Sequence, residues 1–123
     1  MGAFEVDFEI ADVQGSRWTT VRALVDTGST YTWIPRAILA EIGIEPTFQR
    51  EFETADGRVI TRDMGSTLAR FDGQTLPTLI VFSDGHASLV GVVTLEEFGL
   101  GVDPMNQRLV RVRGLAMPAA PLP

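Results

Sequence analysis

The run Ala23-Leu24-Val25-Asp26-Thr27-Gly28-Ser29-Thr30 limits the fold of this chain more than any other stretch. Apolar residues with the pattern of a buried strand stop abruptly at a carboxylate, a hydroxyl and a glycine. An ionised carboxylate withdrawn from water without partners is strongly unfavourable, so a strand that delivers one to its buried end implies a cleft there. Gly28 lets the backbone turn left-handed or approach closely just after the acid. Thr27 and Ser29 bring hydroxyl donors within reach of the carboxylate or of neighbouring backbone. Asp26 is therefore the expected centre of any chemistry.

Composition narrows the classes of function. The 123 residues are enough for one domain with a real core, and 45% hydrophobic with 21% charged residues excludes wholesale disorder. Acidic residues outnumber basic ones, for a net charge of −6, and Lys and Arg gather nowhere along the chain, which argues against a nucleic-acid partner. The absence of cysteine removes disulfides and thiolate metal sites. The lone His86 beside Asp84-Gly85 reads as a solvated turn residue, so no metal is expected. Met1-Gly2-Ala3-Phe4-Glu5-Val6 lacks the pattern of a signal peptide, and no apolar run approaches the roughly 18 residues of a membrane span. The expected location is cytoplasmic, with no membrane contact.

Periodicity indicates a mostly β chain. Phe4, Val6, Phe8 and Ile10 alternate with acids, as in a strand with one wet face. Trp18 to Val25 returns as a second strand with an apolar end, and Thr30 to Ile34 is β-branched and aromatic. Pro35 suits the start of a short helix over Arg36 to Ile42, closed by Gly43. Phe52–Ala55 and Arg58–Thr61 flank Asp56-Gly57, a strong hairpin signal, and their polar faces predict a hairpin that projects into solvent. Asp72-Gly73 joins Thr67–Phe71 to Thr75–Phe82. Asp84-Gly85 precedes Ala87–Gly91. Thr94 to Phe98 reads as a helix ended by Gly99, and Leu100–Val102 and Leu109–Val112 as strands around a turn at 103–106. Trp33 and Phe98 are expected in the core. Residues 1–113 are expected to form one domain, with 114–123 a flexible Pro-rich tail. An apolar strand followed by glycine occurs twice, at Leu24–Gly28 and Leu89–Gly91.

These residues carry a resemblance. Ala23-Leu24-Val25-Asp26-Thr27-Gly28-Ser29 resembles the active-site motif of aspartic proteases, and the single-domain length is similar to the retropepsin-like (retroviral-protease-like) branch in its bacterial form. Leu89-Val90-Gly91 resembles the second family element, which opens the C-terminal helix, and the Asp-Gly hairpin between them falls where the family carries its flap. The resemblance extends to about Val112. Where many relatives follow the second glycine with Arg or Asn and an Asp, this chain has Val92 and Val93.

The resemblance implies a closed β-barrel of the acid protease fold with one or two short helices. It implies an aspartic endopeptidase without cofactor, with Asp26, Thr27 and Gly28 as catalytic residues. Ala55, Asp56, Gly57 and Arg58 would form a flap over an extended peptide or protein substrate, and Ser29, Leu89, Val90 and Gly91 would support the site. Two carboxyls about 3 Å apart share one proton, which gives one site both a general base and a general acid. The chain has one such motif, so a second Asp26 must come from an identical copy in a homodimer. A dimeric peptide-binding module that keeps the fold with little or no proteolysis is the competing expectation.

Overall fold

A computed structural model describes residues 3–114; residues 115–123, most of the expected tail, lie outside the described residues. The elements run β1 (Glu5–Ala11), β2 (Trp18–Val25), β3 (Thr32–Pro35), α1 (Arg36–Glu41), β4 (Phe48–Glu53), β5 (Val59–Phe71), β6 (Gln74–Ser83), β7 (Ser88–Val90), α2 (Val92–Glu97), β8 (Leu100–Asp103) and β9 (Arg108–Arg111). Six strands pair in the order β1-β2-β7-β3-β6-β5, and β5 returns to β1 through Glu9↔Arg70, Ile10↔Ala69 and Ala11↔Leu68. The ring is thus a closed barrel, which removes sheet edges. β4 hangs on β5 outside that ring, as the polar faces of its hairpin predict.

Period-two alternation decides what enters the barrel. Phe8 and Ile10 of β1, Val21, Ala23 and Val25 of β2, and Ile80 and Phe82 of β6 are buried. Phe8 stacks on Phe71 at 4.6 Å between centroids, and Phe98 meets Phe71 edge-on at 4.9 Å. Phe98 is a core residue, as expected from sequence. β8 and β9 form a separate two-stranded sheet, with Leu100 in the core and Val102 and Leu109 packed against it.

The turns follow residue chemistry. Asp72 and Gly73 both have positive φ, at 48° and 81°, and link the directly paired Phe71 and Gln74 in a two-residue hairpin turn. The Asp56-Gly57 connection is longer than that pattern. Gly57 N–H donates to Thr54 O at 2.9 Å, Gly57 has φ 85°, and pairing resumes only at Glu53↔Val59. Ala55 and Arg58 therefore belong to the loop, not to the arms.

Several sequence boundaries move, among them β4, which begins at Phe48. β5 is one 13-residue strand, not two pieces. Its first half pairs with β4 and its second with β6. Gly65, in its middle, sits where a Cβ would lie 3.1 Å from both Glu45 O and the Phe82 ring, so it marks close packing rather than a break. α2 begins at Val92, two residues before the expected Thr94, because the chain leaves Gly91 already hydrogen-bonded for a helix. β3 begins at Thr32, and its alternation turns Thr32 and Ile34 inward but Trp33 outward.

Candidate active site

The two glycine-ended segments lie side by side. β2 runs parallel to β7 with Ala23↔Ser88, Leu24↔Leu89 and Val25↔Val90. Asp26 N–H continues the ladder by donating to Val90 O at 3.0 Å. Past that point the chain turns, with Ser29 N–H donating to Asp26 O at 3.1 Å. The carbonyls of Ser29 and Thr30 then accept from the N–H groups of Val92 and Val93 at 2.8 and 2.9 Å. A helix start leaves its first N–H groups without partners, and α2 has no side-chain cap. The Asp26 loop supplies those partners from its own backbone.

Gly91 makes this approach possible. A Cβ there would stand 2.3 Å from Tyr31 O and 2.8 Å from Ser29 O, well inside contact distance. Gly28 serves differently from one of the two roles expected. It is absent from the positive-φ glycines; instead its N–H donates to Asp26 Oδ1 at 2.9 Å, and a Cβ there would lie 3.2 Å from that oxygen. The requirement is close approach to the carboxylate. Ser29 Oγ donates to Tyr31 O at 2.9 Å and braces the turn. Thr27 is exposed, and among the described residues its hydroxyl has no hydrogen-bond partner.

Asp26 is half-buried and stands between two open cavities. One, of about 440 Å³, is lined by Ala3, Phe4, Leu24, Thr27, Gly28 and Val102. The other, of about 350 Å³, is lined by Ser29, Trp33, Phe52, Thr54, Ile60 and Leu89. Trp33 is therefore half-buried in the cleft wall and not in the core as sequence suggests. The outward phase of β3 puts it there. Leu24, expected to enter the core with its strand, is 38% exposed beside Asp26 for the same reason of alternation. Val90 and Gly91 are buried, whereas Leu89 faces the second cavity.

The hairpin reaches the cleft through its arms. Phe52, Thr54 and Ile60 share the cavity with Asp26, whereas Ala55, Asp56, Gly57 and Arg58 form an exposed tip that does not line it. Phe52 packs on Trp33 at 5.4 Å and edge-on to Tyr31 at 6.0 Å. Arg50 Nη1 donates to Tyr31 Oη at 2.7 Å. These contacts tie β4 to β3 and to Tyr31 just before it. Of the residues missed by sequence reasoning, Phe52 and Ile60 carried a usable signal as the apolar positions of an otherwise polar hairpin. Among the described residues no group of three or more His, Cys, Asp and Glu side chains converges as a metal site. No helix there is long and apolar enough to cross a membrane.

The Asp56 carboxyl is held below its ordinary value of 3.8, first by the Thr54 hydroxyl and then by the Arg58 N–H and guanidinium. Burial opposes this more than either Arg58 contact favours it, and the Thr54 bond together with those contacts outweighs it. A depressed folded value means the contribution is present above the unfolded value and is lost as pH falls through the folded one. The tip should therefore stay ordered down to pH 3.8 and loosen below it. An NMR titration should place the Asp56 midpoint under 3.8, and Thr54→Val should move it upward. A second prediction concerns Gly91: Gly91→Ala should cost about 2 kcal/mol or more in urea denaturation. Gly85→Ala, whose Cβ would meet nothing closer than 3.6 Å, serves as the neutral control.

Comparison with known proteins agrees with this geometry. The sequence profile described as aspartyl protease matches residues 6–94. No curated protein matches the chain. Among solved structures, the solution structure of simian foamy virus (mac) protease is 20% identical, with a TM-score of 0.56, covering 77% of this chain and 94% of that one. EIAV protease complexed with the inhibitor HBY-793 is 14% identical, with a TM-score of 0.61, covering 80% of this chain and 89% of that one. At such identities the likeness establishes a shared fold. The barrel with two short helices is that of the retroviral proteases.

Proposed function

Because this chain belongs to the aspartyl protease family, we propose that it is an aspartic endopeptidase whose site is assembled from two copies. The observation that carries the reading is a single carboxylate, Asp26, held by Gly28 N–H just past the end of β2 between two cavities. The sequence contains one Asp-Thr-Gly and no second acid in equivalent position. A lone carboxylate cannot serve as base and acid toward one water in the same step. A second copy, related by a two-fold axis, supplies the partner's Asp26.

In that site one ionised Asp26 takes a proton from the water held between the two carboxyls. The water oxygen bonds to the scissile carbonyl carbon while the protonated partner donates to the carbonyl oxygen. The tetrahedral adduct then collapses: the C–N bond breaks, the leaving nitrogen takes a proton from the pair, and one hydroxyl of the adduct returns a proton to it, so that the pair again shares one. The products are a carboxylic acid and an amine, and no covalent enzyme intermediate forms. Thr27, which is exposed, hydrogen-bonds across that axis, a role that the resemblance supports. Half-buried Val92 and Val93 supply apolar contact where many relatives carry Arg or Asn with an Asp, and exposed Leu24 adds to it.

The substrate is an extended peptide, lying under the β4–β5 hairpin and pairing with its backbone. Trp33, Phe52, Ile60 and Leu89 make one cavity largely apolar, which favours hydrophobic side chains beside the cut.

The test is cleavage of an unfolded protein from acid to neutral pH, over a dilution series. Wild type should cleave, with rate per subunit falling on dilution, and Asp26→Asn should lose about 10³-fold or more. Equal, negligible cleavage by both forms with peptide binding retained would instead establish a dimeric peptide-binding module. Full activity in a persistent monomer would contradict the two-copy site.

A further inference from the structure

Gly91 begins a line of hydrogen bonds that the chemistry above does not use. Its N–H donates to Thr32 Oγ1 at 3.2 Å. Thr32 Oγ1 lies 2.6 Å from Thr94 Oγ1, and Thr94 Oγ1 lies 2.8 Å from Thr78 Oγ1. Thr78 Oγ1 in turn lies 2.7 Å from Glu97 Oε1. Thr32 and Thr94 are wholly buried and Thr78 is 2% exposed, whereas Glu97 is exposed. The line therefore runs from the loop behind Asp26, through the interior, to a carboxylate at the surface.

Its two ends fix its direction. A backbone N–H can only donate, and an ionised carboxylate can only accept. Thr32 accepts from Gly91 and gives its proton to Thr94; Thr94 gives to Thr78, and Thr78 to Glu97. Each hydroxyl then donates once and accepts once. Reversing the line would withhold the Thr78 proton from Glu97 and leave the Thr32 proton without its acceptor in the buried interior, where an unmade hydrogen bond is costly. A chain of hydroxyls aligned this way is strengthened by mutual polarisation.

We propose that Glu97 is a positioning residue for the Asp26 loop, acting through Thr78, Thr94 and Thr32 on the N–H of Gly91. The proposal rests on the reading of Asp26 as the catalytic acid. Gly91 is flanked by the two contacts that hold that loop: Val90 O accepts from Asp26 N–H, and Val92 N–H donates to Ser29 O. Anchoring the Gly91 peptide plane sets both, and with them the height at which Asp26 presents its oxygens. Glu97 touches neither Asp26 nor the cavities beside it.

The experiment compares Glu97→Ala, Glu97→Gln and Thr78→Val with wild type. It measures amide hydrogen exchange at Gly91 by NMR, and kcat and KM on one peptide, well below each variant's Tm. Loss of the acceptor in Glu97→Ala should speed Gly91 exchange and lower kcat, each by about tenfold, one hydrogen bond's worth, with KM unchanged. Thr78→Val should do the same. Glu97→Gln should restore both readouts, because its amide oxygen still accepts. Wild-type exchange and kcat in Glu97→Ala would overturn the proposal, as would a Gln variant as impaired as Ala. If wild type cleaves nothing, the protease reading fails by itself; the exchange arm still decides, unchanged Gly91 protection in Glu97→Ala being the contrary result.

Discussion

The structure depends on the contact between two backbones at Gly91. Asp26 N–H is committed to Val90 O, and Ser29 and Thr30 carbonyls are committed to the first N–H groups of α2. These bonds form only because position 91 has no side chain to separate the strands. One absent methyl group thus lets a loop carrying a carboxylate also cap a helix that lacks a capping side chain. The acid is consequently held by main chain, with few rotatable bonds between it and the barrel wall.

The rest of the fold serves that loop. Closure of the ring through β1 and β5 leaves no exposed edge within the barrel. The aromatic cluster of Phe8, Phe71 and Phe98 forms part of its core. β4 stands outside it, tied back by Phe52 on Trp33 and by Arg50 on Tyr31. Both anchoring aromatics belong to the segment that follows the Asp26 turn. Acid, hairpin base and cleft wall are in this way fixed by one short stretch of chain, which is the preorganisation that the proposed peptide site requires. In the proposed dimer, two such stretches face one another, and two carboxyls brought together cannot both stay ionised.

Much of this was readable from residues alone. Asp26-Thr27-Gly28 announced the cleft because an acid at the end of an apolar strand has no structural economy. Asp72-Gly73 announced its turn because few residues accept positive φ twice in succession. What remained hidden was hidden for physical reasons. Alternation states that Trp33 and Leu24 differ in facing from their neighbours, but not that their side of the sheet is a cleft rather than a core. The separate pieces Arg58–Thr61 and Thr67–Phe71 do not show that one strand continues through Gly65, where Phe82 and Glu45 pack too closely for a side chain. The line from Gly91 to Glu97 joins Thr32, Thr78 and Thr94 across three elements, and no local pattern of threonines could have marked it.

The central claim is that each chain holds half of a catalytic centre. The most direct measurement titrates a fixed amount of wild type with increasing Asp26→Asn protein, allowing the copies to exchange, and follows cleavage of one peptide. If the site is shared, the mutant subunits capture wild-type ones, and activity falls steeply as mixed pairs replace wild-type pairs. Activity that stays constant at large mutant excess, with mixed pairs shown to form, would contradict the account.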